Sequence, residues 1–210
     1  MQRRQLWLIT IGLLIIALTT VAFYLHERFQ EVVEESWVRH GAHVIYEQVF
    51  VWNGNTEIEY MIWNISQCCD EFIEISLMSH GVNVTDKNVE LTIGEANLTV
   101  NTATREVVNG SGSIAYYVGD KWPFWIETNV TIGSTIDIWY GATAVIKNES
   151  IYVLGQQRNC WVIQYNWQSG IMKRWYDISS GILLKIHNVL YREDITMVVT
   201  ETAVKTNIDL

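Results

Sequence analysis

The chain has 210 residues, with 14 lysines and arginines against 23 aspartates and glutamates and a formal net charge of −9 at pH 7. Nucleic acid is excluded as a partner by this balance, and so is a direct grip on anionic lipid headgroups, because both need a basic surface. The length after the first 25 residues suits one domain with its own core.

Residues 6–25 (LWLITIGLLIIALTTVAFYL) contain no charged side chain. As a helix this run would rise about 30 Å, the thickness of a bilayer's hydrocarbon core. Arg3 and Arg4 precede it, so the positive-inside rule keeps the amino terminus in the cytoplasm. We therefore predict a cytoplasmic tip and transmembrane anchor over 1–25, single-pass in the cell membrane, with the lipid bilayer as partner through residues 6–25. A signal peptide cleaved after Ala22 is the alternative, and it exports the same domain.

Residues 26–41 continue the helical pattern as a juxtamembrane helix. Apolar residues recur there at helical spacing, at Phe29, Val32, Val33 and Trp37. Gly41 is the expected end of this helix. The segment would form a stalk, or would lie across the domain that follows.

From residue 42 the apolar period changes from about 3.6 to 2, as in Ile58, Tyr60 and Ile62. We predict an extracytoplasmic, mainly β domain over 42–210, built as a curved antiparallel meander sheet that resembles a half-barrel. The expected turns are Asn53-Gly54, His80-Gly81, Gly94-Glu95, Asn109-Gly110, Asn148-Glu149, Ser169-Gly170 and 177–181. The expected strands are 43–52, 56–64, 71–79, 89–93, 97–104, 113–119, 124–128, 135–147, 150–155, 160–168, 171–178, 182–191 and 195–205.

Tryptophan is the outlier of the composition, with ten residues. Alternation places Trp161, Tyr165 and Trp167 on one strand face, and Trp175 follows on the next strand. These four residues are the candidate wall for an apolar ligand, because large rings with one polar tip suit a half-wet cavity. The alternative interpretation is that the tryptophans pack the core of a large sheet.

Three cysteines, Cys68, Cys69 and Cys160, fall in the predicted exported part. An odd number allows one internal disulfide with a thiol left over, or a bond to another chain. Neighbours in a strand point to opposite faces, so one of the adjacent pair would face Cys160. The alternative is that all three are small buried apolar residues.

Six Asn-x-Ser/Thr triplets are candidate N-glycosylation sites. They begin at Asn64, Asn83, Asn97, Asn109, Asn129 and Asn148. This number exceeds what the composition predicts and suggests a glycosylated surface. The alternative is that polar strand faces place Asn and Thr two residues apart without any modification.

Catalytic motifs are absent from the sequence: it has no Gly-x-Ser-x-Gly, no His-Glu-x-x-His, no phosphate-binding glycine loop and no Cys-x-x-Cys. His40 and His43 lie three residues apart, and Cys68, Cys69, Asp70 and Glu71 form a cluster with His80 further on, but neither spacing fits a known metal site. We therefore expect a protein that is not an enzyme, with no cofactor and no bound metal.

The segment 175–185 (WYDISSGILLK) contains a strand, an Asp-x-x-Ser-Gly turn and an apolar strand. In such a turn the aspartate caps backbone amides and the glycine takes a positive φ. The segment resembles the hairpin of curved-sheet envelope proteins of the LolA and LppX type, and those of membrane-anchored archaeal ectodomains. That resemblance implies a half-barrel that carries lipid or lipoprotein acyl chains.

The predicted function is a membrane-tethered, extracytoplasmic, non-enzymatic binding module for an apolar ligand, a lipid or a cell-envelope protein partner. The alternative is a structural or adhesive cell-envelope glycoprotein without a ligand pocket. A cavity favours the first function, and a filled interior favours the second.

Overall fold

The computed structural model describes residues 37–69, 71–85, 88–114, 118–138, 141–192 and 195–210, which belong to one compact unit, Trp37–Leu210. The strands are β1 His43–Trp52, β2 Asn55–Cys68, β3 Phe72–Thr85, β4 Asn88–Asn101, β5 Val107–Gly112, β6 Thr135–Ile138, β7 Gly141–Val153, β8 Gln156–Trp167, β9 Gly170–Asp177, β10 Leu183–Arg192 and β11 Ile195–Thr206. Among these described residues no helix has the length and apolarity to cross a bilayer. The predicted anchor over 6–25 lies outside them.

The strands form one open antiparallel sheet in the order β5-β4-β3-β2-β1-β11-β10-β9-β8-β7-β6. Two meanders, β1 to β5 and β6 to β11, meet where β1 pairs with β11. Asn207 reinforces this junction, since its side chain accepts a hydrogen bond from His43 N at 3.0 Å and donates one to Gly41 O at 3.0 Å. The prediction of a mainly β domain built on an antiparallel sheet is confirmed.

The predicted helix over 26–41 is wrong at its end. Residues 26–36 lie outside the described part of the chain, but residues 37–41 form turns and irregular backbone. Trp37 is buried and contacts Trp63 and Trp125, with ring centroids 6.3 Å and 5.3 Å apart. Core packing of this tryptophan therefore overrides the helical spacing.

Three of the expected turns are confirmed. Asn53 and Gly54 connect β1 to β2 with φ of 47° and 82°, the positive angles that a two-residue hairpin requires. A second turn connects β8 to β9 just before Gly170. In the third, Asp177 Oδ1 accepts hydrogen bonds from the backbone N–H groups of Ser179 and Ser180 at 3.0 and 2.9 Å. Asp177 therefore caps the turn that was expected over 177–181.

Four of the expected turns are wrong, because these positions lie inside strands. They are His80-Gly81 in β3, Gly94-Glu95 in β4, Asn109-Gly110 in β5 and Asn148-Glu149 in β7. A Cβ on Gly94 would come within 2.7 Å of Ile114 Cγ1, and one on Gly110 within 2.6 Å of Leu98 Cδ2. At these two positions glycine makes room for a neighbouring side chain instead of turning the chain.

Other strand boundaries also differ from the predicted ones. The turn from β7 to β8 is at Leu154 and Gly155, with φ of 54° and 77°. The expected strand over 124–128 is irregular, and its bridge from Trp125 to Ile182 is isolated. Pro123 has no N–H to donate, and the neighbouring residue Phe124 accepts a hydrogen bond from Leu183 N at 2.9 Å. Segment 122–126 is thus held against the start of β10 without joining the sheet.

One face of the sheet buries a large aromatic core, which we call the main core. Segment 122–126 packs into it, with Trp122 and Phe124 ring centroids 4.9 Å apart. Tyr46 donates a hydrogen bond to Leu183 O at 2.7 Å and accepts one from Trp63 Nε1 at 3.4 Å. The polar groups of Tyr46 and Trp63 are therefore satisfied inside the core.

Arg105 brings the two ends of the sheet order together. It lies in the turn between β4 and β5, is 4% exposed, and its Nη2 donates to the carbonyl of Asp137 in β6 at 3.0 Å. Nη1 donates to the carbonyls of Trp122 and Trp125 at 3.2 and 3.1 Å, and Nε to Glu127 at 3.2 Å. One buried guanidinium thus ties both ends of the sheet to segment 122–126.

Candidate ligand-binding cavity

The β3–β4 hairpin leaves the sheet halfway along its length. Strand β2 pairs with β1 from Asn55 to Asn64, but it pairs with β3 only from Ile62, opposite Met78, to Cys68. Beyond Met78, β3 pairs with β4 alone among the described strands. We call residues 79–85 and 88–94 the distal hairpin.

The distal hairpin packs against the buried face of the central strands. Val82, Val89 and Leu91 contact a second cluster of buried residues, which is separate from the main core. That cluster is formed by Phe50, Trp52, Ile195, Met197 and Val199. Strand alternation explains the contact, because even positions of β1 and odd positions of β11 point to this face.

A cavity of about 600 Å³ lies between the distal hairpin and the central strands. This volume falls within the range of small-molecule sites, about 300–1,000 Å³. Slightly more than half of its wall is apolar and includes Phe50, Leu77, Val82, Leu190 and Val199.

A row of polar side chains crosses the floor of the cavity. The strand register places Gln48 of β1 opposite Glu201 of β11, Glu201 opposite Ile186 of β10, and Ile186 opposite Arg174 of β9. Paired residues in a sheet project to the same face. We call Gln48, Glu201 and Arg174 the polar row; Glu201 and Arg174 line the cavity directly.

Gln48 connects the distal hairpin to the polar row. Its Nε2 donates to Ser79 Oγ at 3.3 Å and to Glu201 Oε1 at 3.1 Å, while its Oε1 accepts from His80 N at 3.1 Å. The side chain is 1% exposed. It supplies hydrogen bonds at the point where β3 no longer pairs with β2, and it satisfies the partly buried backbone amide of His80.

Arg174 is 4% exposed and is held from beneath by segment 122–126. Its Nη1 donates to Pro123 O at 3.3 Å and lies 3.4 Å from the hydroxyl of Tyr176, which itself donates to Pro123 O at 2.7 Å. Nε donates to Met172 Sδ at 3.0 Å. These contacts fix the guanidinium on the cavity floor.

Glu201 carries the opposite charge on the same floor. Burial raises the pKa of its carboxyl above the usual value, and this effect exceeds the opposing influence of the Gln48 hydrogen bond and of Arg174. The residue is half-buried and lines the cavity.

Two further polar atoms at the cavity are buried. His80 Nδ1 and Asn188 Oδ1 find no hydrogen-bond partner within the part of the chain that the structure describes. The other ring nitrogen of His80, Nε2, lies 3.6 Å from Glu59 Oε2. Buried polar atoms without partners cost free energy, so each is a point where a ligand can contribute a hydrogen bond.

The four residues predicted as an aromatic wall do not line this cavity. Trp175 pairs with Val162, whereas Trp161 pairs with Tyr176, so the register places Trp175 on the opposite face from Trp161, Tyr165 and Trp167. Tyr165 and Trp167 stack on each other, with centroids 5.7 Å apart. Trp175 is 9% exposed and donates to Glu149 Oε2 at 3.3 Å.

The three cysteines are present as thiols, with Cys160 buried and Cys68 and Cys69 exposed. Cys160 lies on β8 and Cys68 on β2, five positions apart in the strand order. The structure therefore does not bring together the residues of the predicted bridge. Burial raises the pKa of the Cys160 thiol to about 12, with a smaller contribution from Asp177.

The candidate glycosylation sites are distributed over several elements. The exposed ones are Asn83 in β3, Asn97 in β4, Asn109 in β5, Asn129 in a loop and Asn148 in β7. Asn64 in β2 is half-buried. Asn97 pairs with Ser111, and Asn109 pairs with Thr99, so two of the triplets lie side by side on neighbouring strands.

The polar row was missed by the sequence analysis, although a signal was present. Burial alternates along these strands, and each of the three residues occupies a position on the buried side: Gln48 in β1, Arg174 in β9 and Glu201 in β11. A polar residue in an otherwise apolar phase of a strand marks a site that the fold must satisfy or use. Within the described ranges, no group of three or more His, Cys, Asp or Glu residues is arranged to hold a metal ion.

Comparison of the chain with models of known protein families and with curated proteins finds no match.

Proposed function

We propose that this protein is a membrane-tethered, extracytoplasmic binding module that holds a small apolar or amphiphilic ligand in the cavity beneath the distal hairpin. The observation that carries the proposal is the cavity itself, since its volume of about 600 Å³ lies in the range of ligand sites and its wall combines apolar side chains with convergent polar groups. A purely structural sheet would be expected to fill such a space with side chains.

The proposed shape of the sheet is a strongly curved half-barrel. Ten pairing steps separate β5 from β6 along the sheet, and strands in a sheet lie about 4.8 Å apart. The hydrogen bond from Arg105 to Asp137 nevertheless joins the two ends. Curvature of this degree supports a concave face that can enclose a ligand.

Ligand uptake tests the proposal directly. The full chain, stripped of co-purified molecules, should bind a fluorescent monoacylglycerol, and Val199→Trp should abolish binding because the indole would occupy the cavity. Val198→Trp is the matched control, since Val198 points to the other face of β11. Absence of uptake by the wild-type chain would contradict the proposal, as would unchanged uptake by a folded Val199→Trp variant.

The tether has its own test. Protease added to intact cells should digest the domain over 42–210 and spare the first residues, because the positive-inside rule exports everything after residue 25. Mass spectrometry of the membrane-extracted chain would report cleavage after Ala22 and glycans at the Asn-x-Ser/Thr sites. Protection of the domain in intact cells would reverse the proposed orientation.

A structural or adhesive glycoprotein is the second candidate. The exposure of five of the six glycosylation candidates favours it, because an exposed asparagine side chain is accessible for modification. The uptake experiment separates the two functions, since a structural glycoprotein binds no apolar probe.

A further inference from the structure

The polar row indicates which kind of ligand head the cavity accepts. We propose, as a refinement that rests on the proposed function, that the ligand is a single-chain amphiphile with an uncharged, hydroxyl-bearing head. The head would lie on the floor of the cavity, near Glu201, Arg174 and Asn188, with the chain against the apolar wall.

Charge balance is the first argument. Arg174 on β9 and Glu201 on β11 flank Ile186 of β10 in register, so a positive and a negative side chain share the floor two strands apart. A carboxylate head would add a second negative charge beside Glu201, and an ammonium head a second positive charge beside Arg174. Either would be a buried charge without a counter-charge of its own, which is costly.

Hydrogen bonding is the second argument. Asn188 Oδ1 is buried and receives no hydrogen bond from the described residues. Glu201 accepts from Gln48 through Oε1, which leaves Oε2 able to accept from a ligand. Both atoms are acceptors, so the complementary group must donate. A hydroxyl donates to such atoms, whereas an ester or an alkane cannot.

The apolar wall completes the description. Leu77, Leu190, Val199 and Phe50 surround the cavity above the floor, and Val82 of the distal hairpin covers it. Aliphatic and aromatic side chains of this kind favour burial of a hydrocarbon chain at about 25 cal/mol per Å². The site thus combines an apolar volume with a polar floor. The charges of Arg174 and Glu201 on this floor cancel when both groups are ionised.

A competition experiment tests the head group. The full chain in amphipol is offered equal amounts of glycerol monolaurate, laurate, dodecylamine and dodecane at mildly alkaline pH, which favours the ionised form of Glu201. Native mass spectrometry then counts the adducts. We expect the glycerol monolaurate adduct to exceed those of laurate and dodecylamine by about tenfold, corresponding to roughly 1.4 kcal/mol. Laurate or dodecylamine at equal or higher occupancy would overturn the inference and leave the binding function standing.

A charge variant sharpens the test. Glu201→Gln keeps an acceptor for Gln48 but removes the negative charge beside Arg174, so the preference should move toward laurate by about tenfold. Glu47→Gln, on the opposite face of β1, is the control and should leave the preference unchanged. An unchanged preference in Glu201→Gln would also overturn the inference. If no probe forms an adduct with the wild-type chain, the proposed function fails as well.

Discussion

The main core and the cavity lie on the same face of one sheet and share Met61, Leu77 and Phe124, yet their space is filled differently. The main core is filled by interlocking rings, with Trp37, Trp63, Trp122 and Trp125 in edge-on or tilted contact. The cavity wall combines aliphatic side chains and two phenylalanines with Glu201 and Arg174 of the polar row. The difference shows that aromatic bulk here seals the interior, while the space for a ligand is left where smaller residues and a departing hairpin meet.

We expect the largest change in the free energy of unfolding from a substitution in the main core. Trp63→Ala should lower the free energy of unfolding by about 3–5 kcal/mol, because Trp63 is 0% exposed and its removal leaves a large cavity. Denaturant titration measures this loss. Val82→Ala in the distal hairpin is the comparison and should cost less than about 1.5 kcal/mol, since Val82 is half-buried beside a space that already exists. Equal losses would remove the distinction between the two regions.

Substitution of Arg105 tests whether one side chain joins the two ends of the sheet. Arg105→Ala should destabilise the domain by about 2–4 kcal/mol, since two buried carbonyl groups and one partly buried carbonyl group lose their donor. Arg105→Lys keeps the charge without the planar guanidinium and should recover little of the loss. A lysine variant as stable as the wild type would show that charge alone suffices.

The pH dependence of folding stability tests whether Glu201 is buried in the cavity floor. Its raised pKa means that the folded state holds this proton more tightly than the unfolded state does. Folding stability should therefore fall as pH rises from the ordinary carboxyl pKa through the raised one, and recover on acidification through the same window. Thermal unfolding against pH measures the slope, and Glu201→Gln should flatten it. A slope that is identical in wild type and variant would contradict the assignment.

The smallest effect concerns reactivity and leaves stability unchanged. Cys160 should resist alkylation in the folded chain at mildly alkaline pH, because a pKa of about 12 keeps it as a thiol and burial blocks access. Cys68 and Cys69 are exposed and should react quickly. Denaturation without reductant should then expose Cys160 to alkylation. Continued protection after denaturation would reveal the disulfide predicted from the sequence.

Much of the sheet could be predicted because its signals are local. The alternation from His43 to Trp52 and the turn at Asn53 and Gly54 each depend on neighbouring residues, and both were predicted correctly. Glycines 94 and 110 were misread as turns, because the reason for each is a side chain on another strand. The burial of six tryptophans supports the alternative interpretation of this residue type as core. They are Trp37, Trp52, Trp63, Trp122, Trp125 and Trp175.

The cavity could not be predicted, because it depends on where a hairpin leaves the sheet. Residues on either side of Met78 have similar alternation, and the departure is visible only in the pairing of β3 with β2. Gln48 and Glu201 are 153 positions apart in the chain, so their hydrogen bond has no local signal. The sequence does show a polar residue at a strand position expected to be buried, which indicates a special role. It does not show which residue that side chain contacts.

The junction of β1 with β11 also has a consequence for how the domain is made. Thr206 Oγ1 donates to the carbonyl of His43 at 2.7 Å across 163 positions of the chain. Each meander can form from neighbouring hairpins as it is synthesised, but the middle of the sheet must wait for β11. Until then β1 presents an unpaired edge, which is the kind of edge that aggregates. Folding should therefore be slow at its final step, and a nascent chain that stalls before β11 should be the form most in need of a chaperone.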